Sequence, residues 1–275
     1  MHELSSRYPV WFCDIWGVVH DGHTPNPATS DSLSRHRANG GVVILVTNSP
    51  RSNTGVEQQI AAIGVPRATH DAIVTSGDVT RTLIEEHGGG RIFHLGPERD
   101  LSIFEGLDVR RVPLEEAKAV LCTGLFNDRT ETPEDYRELL AEIRRRDLEM
   151  ICANPDKIVR IGSRILYCAG SLAEAYQGLG GKVLMAGKPY EPIYELAQHK
   201  AQSIAGRTIA KAEILAIGDG PDTDIRGAAD FGIDAVLVAD GITQAESGLE
   251  ALTRSVEKRV PGARIVKTVE SLDWT

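Results

Sequence analysis

Short apolar runs alternate with helical stretches along most of this sequence. Residues 10–13, 42–46 and 72–75 are strand-like, and a helical segment follows each of them; the first begins at Asn26-Pro27, a typical helix start. Successive strand–helix units require parallel strands, because each helix returns the chain to the edge where the next strand begins. The sequence therefore predicts an α/β fold with a doubly wound, Rossmann-like parallel sheet.

The middle of the chain interrupts this alternation. Strand-like runs at residues 91–95 and 119–123 are separated by a polar stretch that contains proline. Regular alternation resumes with the apolar run at residues 183–186. We predict a core domain formed by residues 1–86 and 183–275, with an α/β cap domain inserted over residues 87–182.

The composition argues against several kinds of partner. Thirty Lys and Arg against 39 Asp and Glu give a formal net charge of −9, which does not suit a nucleic-acid surface. No apolar run approaches the roughly 18 residues of a membrane span. The four cysteines form no Cys-x-x-Cys pair, so the sequence indicates neither a zinc site nor a disulfide framework. We expect a cytoplasmic protein that binds neither nucleic acid nor membrane.

Four polar clusters follow predicted strands or precede a predicted helix. They are Asp14, Thr47 with Asn48, Lys188, and Asp219 with Asp224. Parallel strands bring such residues to one edge of the sheet, where open α/β folds bind ligands. Carboxylates without Cys or His suit Mg²⁺, whereas a hydroxyl, an amide and an ammonium suit a phosphate. Together they indicate phosphoryl transfer through an acyl phosphate.

Each cluster taken alone has an ordinary explanation. A strand-ending turn or a solvated loop accounts for any one of them. The acidic segment at residues 219–224 could also be a calcium loop, but an EF-hand register from Asp222 puts Arg226 and Ile233 at its fifth and twelfth positions. No Gly-x-Gly-x-x-Gly follows the first strand, so a dinucleotide site is unsupported.

The four clusters, taken in order, resemble the motifs of the haloacid dehalogenase superfamily. The match is to its class IIA, which includes nitrophenyl-phosphatase-like and sugar-phosphatase-like enzymes. The matching residues are Asp14-Ile-Trp-Gly-Val18, Thr47, Lys188 within Gly-Lys-Pro, and Gly218-Asp219 with Asp224. A cap inserted between the second and third motifs is the class II arrangement, and residues 152–156 are similar to the class IIA cap.

The resemblance implies a Mg²⁺-dependent phosphatase that hydrolyses a small phosphorylated metabolite through an aspartyl-phosphate on Asp14. The metal ligands that it implies are Asp14, the backbone carbonyl of Trp16, Asp219 and, orienting the metal shell, Asp224. The phosphate-binding residues that it implies are Thr47, Asn48 and Lys188. A homodimer through the cap is a further expectation.

Trp16 departs from the family pattern. Members of the family carry a second aspartate two residues after the nucleophile, which protonates the leaving group. An indole has no proton that titrates near neutral pH, so Trp16 cannot act in this way. The alternatives are a slow phosphatase that needs a good leaving group, a surrogate acid/base at His20 or Asp21, and a non-hydrolytic or very weakly active phospho-ligand binding protein. His20 is the better surrogate because its ordinary pKa lies near neutrality.

Overall fold

The computed structural model describes residues 1–87, 89–161, 164–239 and 248–274. Its strands are β1 Val10–Cys13, β2 Val42–Thr47, β3 Ala72–Thr75, β4 Arg91–Leu95, β5 Arg110–Arg111, β6 Ala119–Cys122, β7 Glu149–Cys152, β8 Ile158–Ile161, β9 Arg164–Tyr167, β10 Val183–Met185, β11 Ile214–Gly218, β12 Asp234–Val238 and β13 Ile265–Val269. Its α-helices are α1 His2–Arg7, α2 Pro27–Ala38, α3 Asn53–Ile63, α4 Ser76–His87, α5 Arg137–Arg145, α6 Ala169–Gly178, α7 Glu191–Ala205, α8 Arg226–Phe231 and α9 Leu249–Arg259.

A six-stranded sheet has the order β13-β12-β11-β1-β2-β3. The pairs β13–β12, β12–β11, β11–β1 and β1–β2 are parallel. Every residue of β1, β2 and β11 is buried, as expected for apolar strands of a parallel sheet covered on both faces. The chain runs outward from β1 through β2 to β3, and β11 lies on the other side of β1. The switch point of this sheet therefore lies between β1 and β11.

A second sheet has five strands in the order β10-β7-β6-β4-β5, and all four of its pairings are parallel. The strands β8 and β9 form a separate antiparallel pair. This part of the chain has hydrophobic clusters of its own, which include the buried side chains of Leu140, Met150 and Tyr176.

The chain divides into two compact units. The first consists of residues 1–47, 54–74 and 188–275, and the second of residues 48–53 and 75–187. The limits predicted from the sequence assign α4 and β10 to the core, but the second unit contains both elements. The physical reason is pairing: β10 lies parallel to β7 in the second sheet, and an apolar run does not reveal which sheet it will join. The predicted fold class, a parallel α/β core with a second α/β unit inserted in it, is confirmed.

Local sequence signals account for the helix starts. The side chain of Asn26 accepts hydrogen bonds from the backbone N–H groups of Ala28 and Thr29, so it caps α2 as expected. A 3₁₀ turn at Pro133–Tyr136, with Thr132 at its N-cap, leads directly into α5. None of the helices that the structure describes combines the length and the apolar character needed to span a bilayer.

Candidate active site

The carboxyl edge of β1 and β11 carries the first two predicted site residues. Cys13 and Ile217 are partners in the parallel register, and the backbone N–H of Asp14 donates to the carbonyl oxygen of Ile217 at 2.8 Å. Asp14 thus directly follows β1 and Asp219 directly follows β11, on adjacent strands. The alternating pattern predicted this juxtaposition, which places both carboxylates at the switch point of the sheet.

Asp14, Asp219 and Asp224 each offer a carboxylate oxygen, and these oxygens lie within 4.8 Å of one another. All three residues are buried. A turn at Pro221–Ile225 folds Asp224 back toward the end of β11, where its Oδ2 accepts from the backbone N–H of Gly220 at 3.1 Å. A side chain at Gly218 would overlap the Asp224 side chain, so the close approach requires glycine there.

Lys188 supplies the positive charge of this cluster. Its Nζ donates to Asp14 Oδ1 and, at 2.7 Å, to Asp224 Oδ1. Burial raises the pKa of Asp14 well above its usual value; Lys188 opposes this rise, and Asp224 and Asp219 add to it. Burial disfavours the charged ammonium, but the two carboxylates hold the pKa of Lys188 well above its ordinary value. Lys188 is therefore a cation at neutral pH.

The chemistry of this cluster suits a hard divalent cation. Its three converging side chains are carboxylates, and oxygen ligands of this kind favour Mg²⁺ over softer metals. Three buried carboxylates against one ammonium leave an excess of negative charge, which a cation would offset. The ammonium of Lys188 in turn suits an anionic group such as a phosphate.

Thr47 and Asn48 lie at the next strand of the sheet. Thr47 is the buried last residue of β2, the neighbour of β1, so it belongs to the same sheet edge as Asp14. Asn48 belongs to the second unit by its contacts, and its Nδ2 donates to Asp156 Oδ1 at 2.9 Å. Asp156 was not among the predicted site residues, although it ends the cap-like segment 152–156.

Trp16 packs within the turn that follows β1. Its indole meets the ring of His20 edge to face, with the ring centroids 4.9 Å apart. The backbone at Gly22 has a φ of +96°, and a Cβ added there would lie 2.7 Å from Trp16 Cζ3. Gly22 is therefore required both for the turn and for the position of the indole.

His20 and Asp21, the two candidates for a surrogate acid, both accept hydrogen bonds from backbone N–H groups of this turn. His20 Nδ1 accepts from the backbone N–H of Gly22 at 2.9 Å, so the neutral ring carries its proton on the buried Nε2. Burial lowers the pKa of His20. The backbone N–H groups of Thr24 and His23 hold the pKa of the exposed Asp21 at about 2. These contacts give Asp21 a turn-capping role and disfavour it as a proton donor.

Two further residues support Asp224 and were not predicted. Thr223 Oγ1 donates to Asp224 Oδ2 at 3.3 Å, and the buried Tyr194 hydroxyl donates to the Asp224 carbonyl oxygen at 3.4 Å. Thr223 could have been found from its place inside the acidic segment. Tyr194 lies on α7, and its sequence surroundings carry no signal of this contact.

Comparison with known proteins identifies the relatives of this chain. Residues 11–110 match the family model of the haloacid dehalogenase-like hydrolases, and residues 185–271 match a second model of HAD-like hydrolases. A crystal structure of a hydrolase of the haloacid dehalogenase-like family from Brucella suis is 48% identical, with a TM-score of 0.88. That comparison covers 98% of this chain and 97% of the Brucella chain. The chain belongs to the haloacid dehalogenase-like hydrolase family, as its four motifs predict.

More distant relatives have named activities. A D-glycerol 3-phosphate phosphatase of Mycobacterium tuberculosis is 25% identical over 252 residues, which are 89% of this chain and 67% of that protein. A crystal structure of a glycerol phosphate phosphatase from the same organism in complex with magnesium shares the fold, with 24% identity and a TM-score of 0.71 over 99% of this chain and 78% of that one. A match to a cardiolipin synthase/mitochondrial hydrolase fusion protein of Schizosaccharomyces pombe, 27% identical over 44% of this chain, spans only 23% of the fusion protein.

Proposed function

We propose that this protein is a Mg²⁺-dependent phosphatase that hydrolyses a small phosphorylated metabolite through an aspartyl-phosphate on Asp14. The observation that carries the proposal is the convergence of the Asp14, Asp219 and Asp224 carboxylates within 4.8 Å of one another, with Lys188 bonded to two of them. Membership of a hydrolase family and the similarity to a D-glycerol 3-phosphate phosphatase support it.

Asp14, the backbone carbonyl of Trp16 and Asp219 would hold Mg²⁺, with Asp224 orienting the metal shell. When bound, the ion would neutralise negative charge on the phosphoryl oxygens and on the carboxylates around it. Lys188 and Thr47 would bind the remaining phosphoryl oxygens. Asn48 stays a candidate phosphate-binding residue because it directly follows Thr47 in the second motif. The ammonium of Lys188 also favours the ionised form of Asp14, the form that can act as a nucleophile.

The reaction that these residues support has two displacements. In the first, a carboxylate oxygen of Asp14 attacks phosphorus, and the bond from phosphorus to the leaving oxygen breaks. In the second, water attacks the phosphorus of the acyl phosphate, which releases inorganic phosphate and restores the carboxylate. The leaving oxygen takes its proton from the solvent unless a side chain supplies it, and Trp16 has none to give.

A direct assay tests the proposal. The full chain is incubated with Mg²⁺ and either acetyl phosphate or p-nitrophenyl phosphate, and released phosphate is measured with and without EDTA. We expect release that EDTA abolishes, that Asp14→Asn abolishes, and that Asp31→Asn on the exposed surface of α2 leaves unchanged. Acid-quenched protein should carry phosphate on a peptide that contains Asp14. Activity that survives Asp14→Asn would overturn the assignment of the nucleophile.

The second candidate function is binding of a phosphorylated ligand without turnover. Trp16 in the place of a proton-donating residue favours it. This candidate predicts that acetyl phosphate, which needs no proton on its leaving group, also remains uncleaved while inorganic phosphate still binds. Isothermal titration with phosphate in the presence of Mg²⁺ separates the two functions when it is read beside the hydrolysis assay.

A homodimer through the inserted unit remains a further proposal. Light scattering coupled to size-exclusion chromatography tests it. A mass near 29.8 kDa, that of one chain, would contradict the dimer.

A further inference from the structure

A cavity of about 300 Å³ lies beside the turn that follows β1 and the start of α2. Its described lining residues fall within positions 17–27 of the first unit. This volume is at the lower end of the range for pockets that bind small organic molecules. Asp14, Asp219, Asp224 and Lys188 are not among these lining residues, so the cavity does not use the groups of the carboxylate cluster.

His20 places a buried hydrogen-bond donor in the wall of this cavity. The residue is only 2% exposed, and its Nδ1 accepts from the backbone N–H of Gly22 at 2.9 Å. A ring whose Nδ1 accepts is neutral and carries its proton on Nε2. Nε2 is buried and has no hydrogen-bond partner among the residues that the structure describes. A buried N–H without an acceptor is unfavourable, so this wall favours a ligand that offers one.

The backbone around His20 holds this wall in place. His20 forms isolated β-bridges with Trp16 and with Pro25. The backbone N–H of Asn26 donates to the carbonyl oxygen of Val19 at 2.7 Å, which ties the start of α2 to the same turn. The cavity is therefore formed by the folded chain itself, as is usual for sites that bind small molecules.

Asn26 and Asp21 supply further polar groups of the wall. The Asn26 Oδ1 caps α2 by accepting from the backbone N–H groups of Ala28 and Thr29, so its amide NH₂ group is the side that can serve a ligand. Asp21 Oδ1 accepts from two backbone N–H groups, and its Oδ2 accepts from the Thr24 hydroxyl at 3.1 Å. An ionised carboxylate has roughly four acceptor positions, so Asp21 can accept one more hydrogen bond.

The charges of the wall favour an uncharged ligand. Asp21 is negative, and no lysine or arginine is among the described residues that line the cavity, so a phosphate or a carboxylate would be repelled. An ammonium group offers no acceptor to the N–H groups of His20 and Asn26. A neutral group with a carbonyl oxygen and an adjacent N–H can pair with both donors and acceptor. The apolar surfaces of Val18 and Pro25 suit a compact hydrocarbon part.

We propose that this cavity binds a small uncharged amide. The carbonyl oxygen of the ligand accepts from His20 Nε2 and from the Asn26 side-chain amide, and its N–H donates to the Asp21 carboxylate. All three residues belong to the first unit, so the proposal does not depend on the proposed phosphatase activity. It also gives His20 a role other than that of a surrogate acid.

A ¹H–¹⁵N TROSY titration of the full chain tests this site, with acetamide and 2-pyrrolidinone as separate millimolar probes. We expect at least one of these amides to shift the backbone signals of residues 17–26 in a saturable way. Acetate has nearly the shape of acetamide but carries a negative charge. It should therefore bind at least tenfold more weakly than acetamide.

Two substitutions remove the proposed donors. His20→Phe keeps an aromatic ring beside Trp16 without an Nε2–H, and it should weaken amide binding at least tenfold. Asn26→Asp keeps a side chain that caps helices well but replaces the amide donor by a charged acceptor, so we expect the same loss while α2 stays capped. Asn39→Asp, the same change at the exposed C-cap of α2, is the matched control and should keep the dissociation constant within threefold.

Asp14→Asn should leave amide binding unchanged, whatever the hydrolysis assay shows. Circular dichroism checks the fold of each variant. The proposal is overturned if neither amide shifts the signals of residues 17–26, or if acetate binds as tightly as acetamide. It is also overturned if the folded Asn26→Asp protein binds the amides like the wild type.

Discussion

The ammonium of Lys188 lies 2.7 Å from Asp224 Oδ1, across 36 positions of sequence, and the same ammonium also donates to Asp14. One buried cation thus joins the loop before α7 to the carboxyl ends of β1 and β11. It offsets part of the repulsion among three buried carboxylates, and burial raises the pKa of Asp14 in spite of it. This site is consequently stabilised by positive charge, either the charge of Lys188 or that of a bound cation.

Removal of Lys188 should therefore destabilise the protein most when no divalent cation is present. We expect Lys188→Met to lower the free energy of unfolding in EDTA by about 3–5 kcal/mol, because it leaves buried carboxylates without their partner. Mg²⁺ should restore part of this loss, since a cation bound to the folded state stabilises it. Urea unfolding followed by circular dichroism measures both effects.

A surface lysine provides the control for this prediction. Lys157 pairs with Glu174 at 2.7 Å, but both side chains are more than 60% exposed. Lys157→Met should change the free energy of unfolding by less than about 1 kcal/mol. Equal stability of Lys188→Met and wild type in EDTA would show that the ion pairs of Lys188 do not hold the site together.

Asp219 should lower the stability of the metal-free protein and increase its affinity for Mg²⁺. Asp219→Asn removes one of three like charges, so we expect the metal-free protein to become more stable by about 1 kcal/mol, the free energy of roughly one pKa unit. Its affinity for Mg²⁺, measured by isothermal titration calorimetry, should fall more than tenfold. Asp222→Asn, at an exposed carboxylate paired with Arg259, should leave Mg²⁺ binding unchanged. Wild-type affinity in Asp219→Asn would exclude this residue as a ligand.

The sequence predicts the first sheet well because its signals are local. Its strands β1, β2 and β11 are short apolar runs that are buried throughout. The residue that caps α2, Asn26, directly precedes that helix in the sequence. The allocation of β10 is different, because Val183–Met185 pairs with β7, which lies more than 30 positions earlier. Pairing of this kind depends on the whole sheet, so an apolar run cannot report it.

The candidate site also combines features that the sequence predicts with features that depend on long-range packing. Asp14 and Asp219 follow adjacent strands, so topology alone brings them together. The hydrogen bonds of Lys188 and the contact of Tyr194 with Asp224 depend on side-chain packing, which the pattern does not encode. The turn around His20 is also set by packing, since its geometry follows from the fit of the Trp16 indole against Gly22.

His36 should make the protein sensitive to mild acid. Its ring is fully buried, stacks on Trp11 at a centroid distance of 3.9 Å, and has a pKa lowered to about 4 by burial. In the unfolded chain the pKa of His36 is near 6.5, so the unfolded state binds the proton more tightly. The neutral ring therefore contributes to the free energy of unfolding above pH 6.5, and this contribution is lost as pH falls toward 4. Between pH 7 and pH 5 the loss from this residue should be about 2 kcal/mol.

Comparison with His36→Gln isolates this contribution from other buried histidines, such as His70 and His94, whose pKa values are also lowered. Unfolding by urea at pH 7 and pH 5 gives the pH-dependent change for each protein. We expect the wild type to lose about 2 kcal/mol more than the variant. Parallel losses in the two proteins would mean that His36 does not bind its proton differently in the folded and unfolded states.

Trp16 should restrict turnover to substrates whose leaving group departs without a proton. If Asp14 is the nucleophile, wild-type rates should depend steeply on leaving-group pKa, with acetyl phosphate and p-nitrophenyl phosphate cleaved far faster than an alkyl phosphate. Trp16→Asp places a carboxylic acid two residues after Asp14. We expect it to raise kcat on glycerol 3-phosphate at least tenfold, a decrease of about 1.4 kcal/mol or more in the barrier, and to flatten the dependence.

Trp16→Asn is the matched control for this change, because it loses the indole and opens the same space without gaining an acid. The indole packs on His20 and against Gly22, so both variants should lose some stability, and thermal melts must accompany the rates. If Trp16→Asn raises kcat as much as Trp16→Asp does, the increase comes from removal of the bulky indole and not from proton transfer. The wild type could instead cleave the alkyl phosphate rapidly, and His20→Gln could abolish that cleavage. This result would assign the acid/base role to His20 and would also exclude the non-hydrolytic alternative.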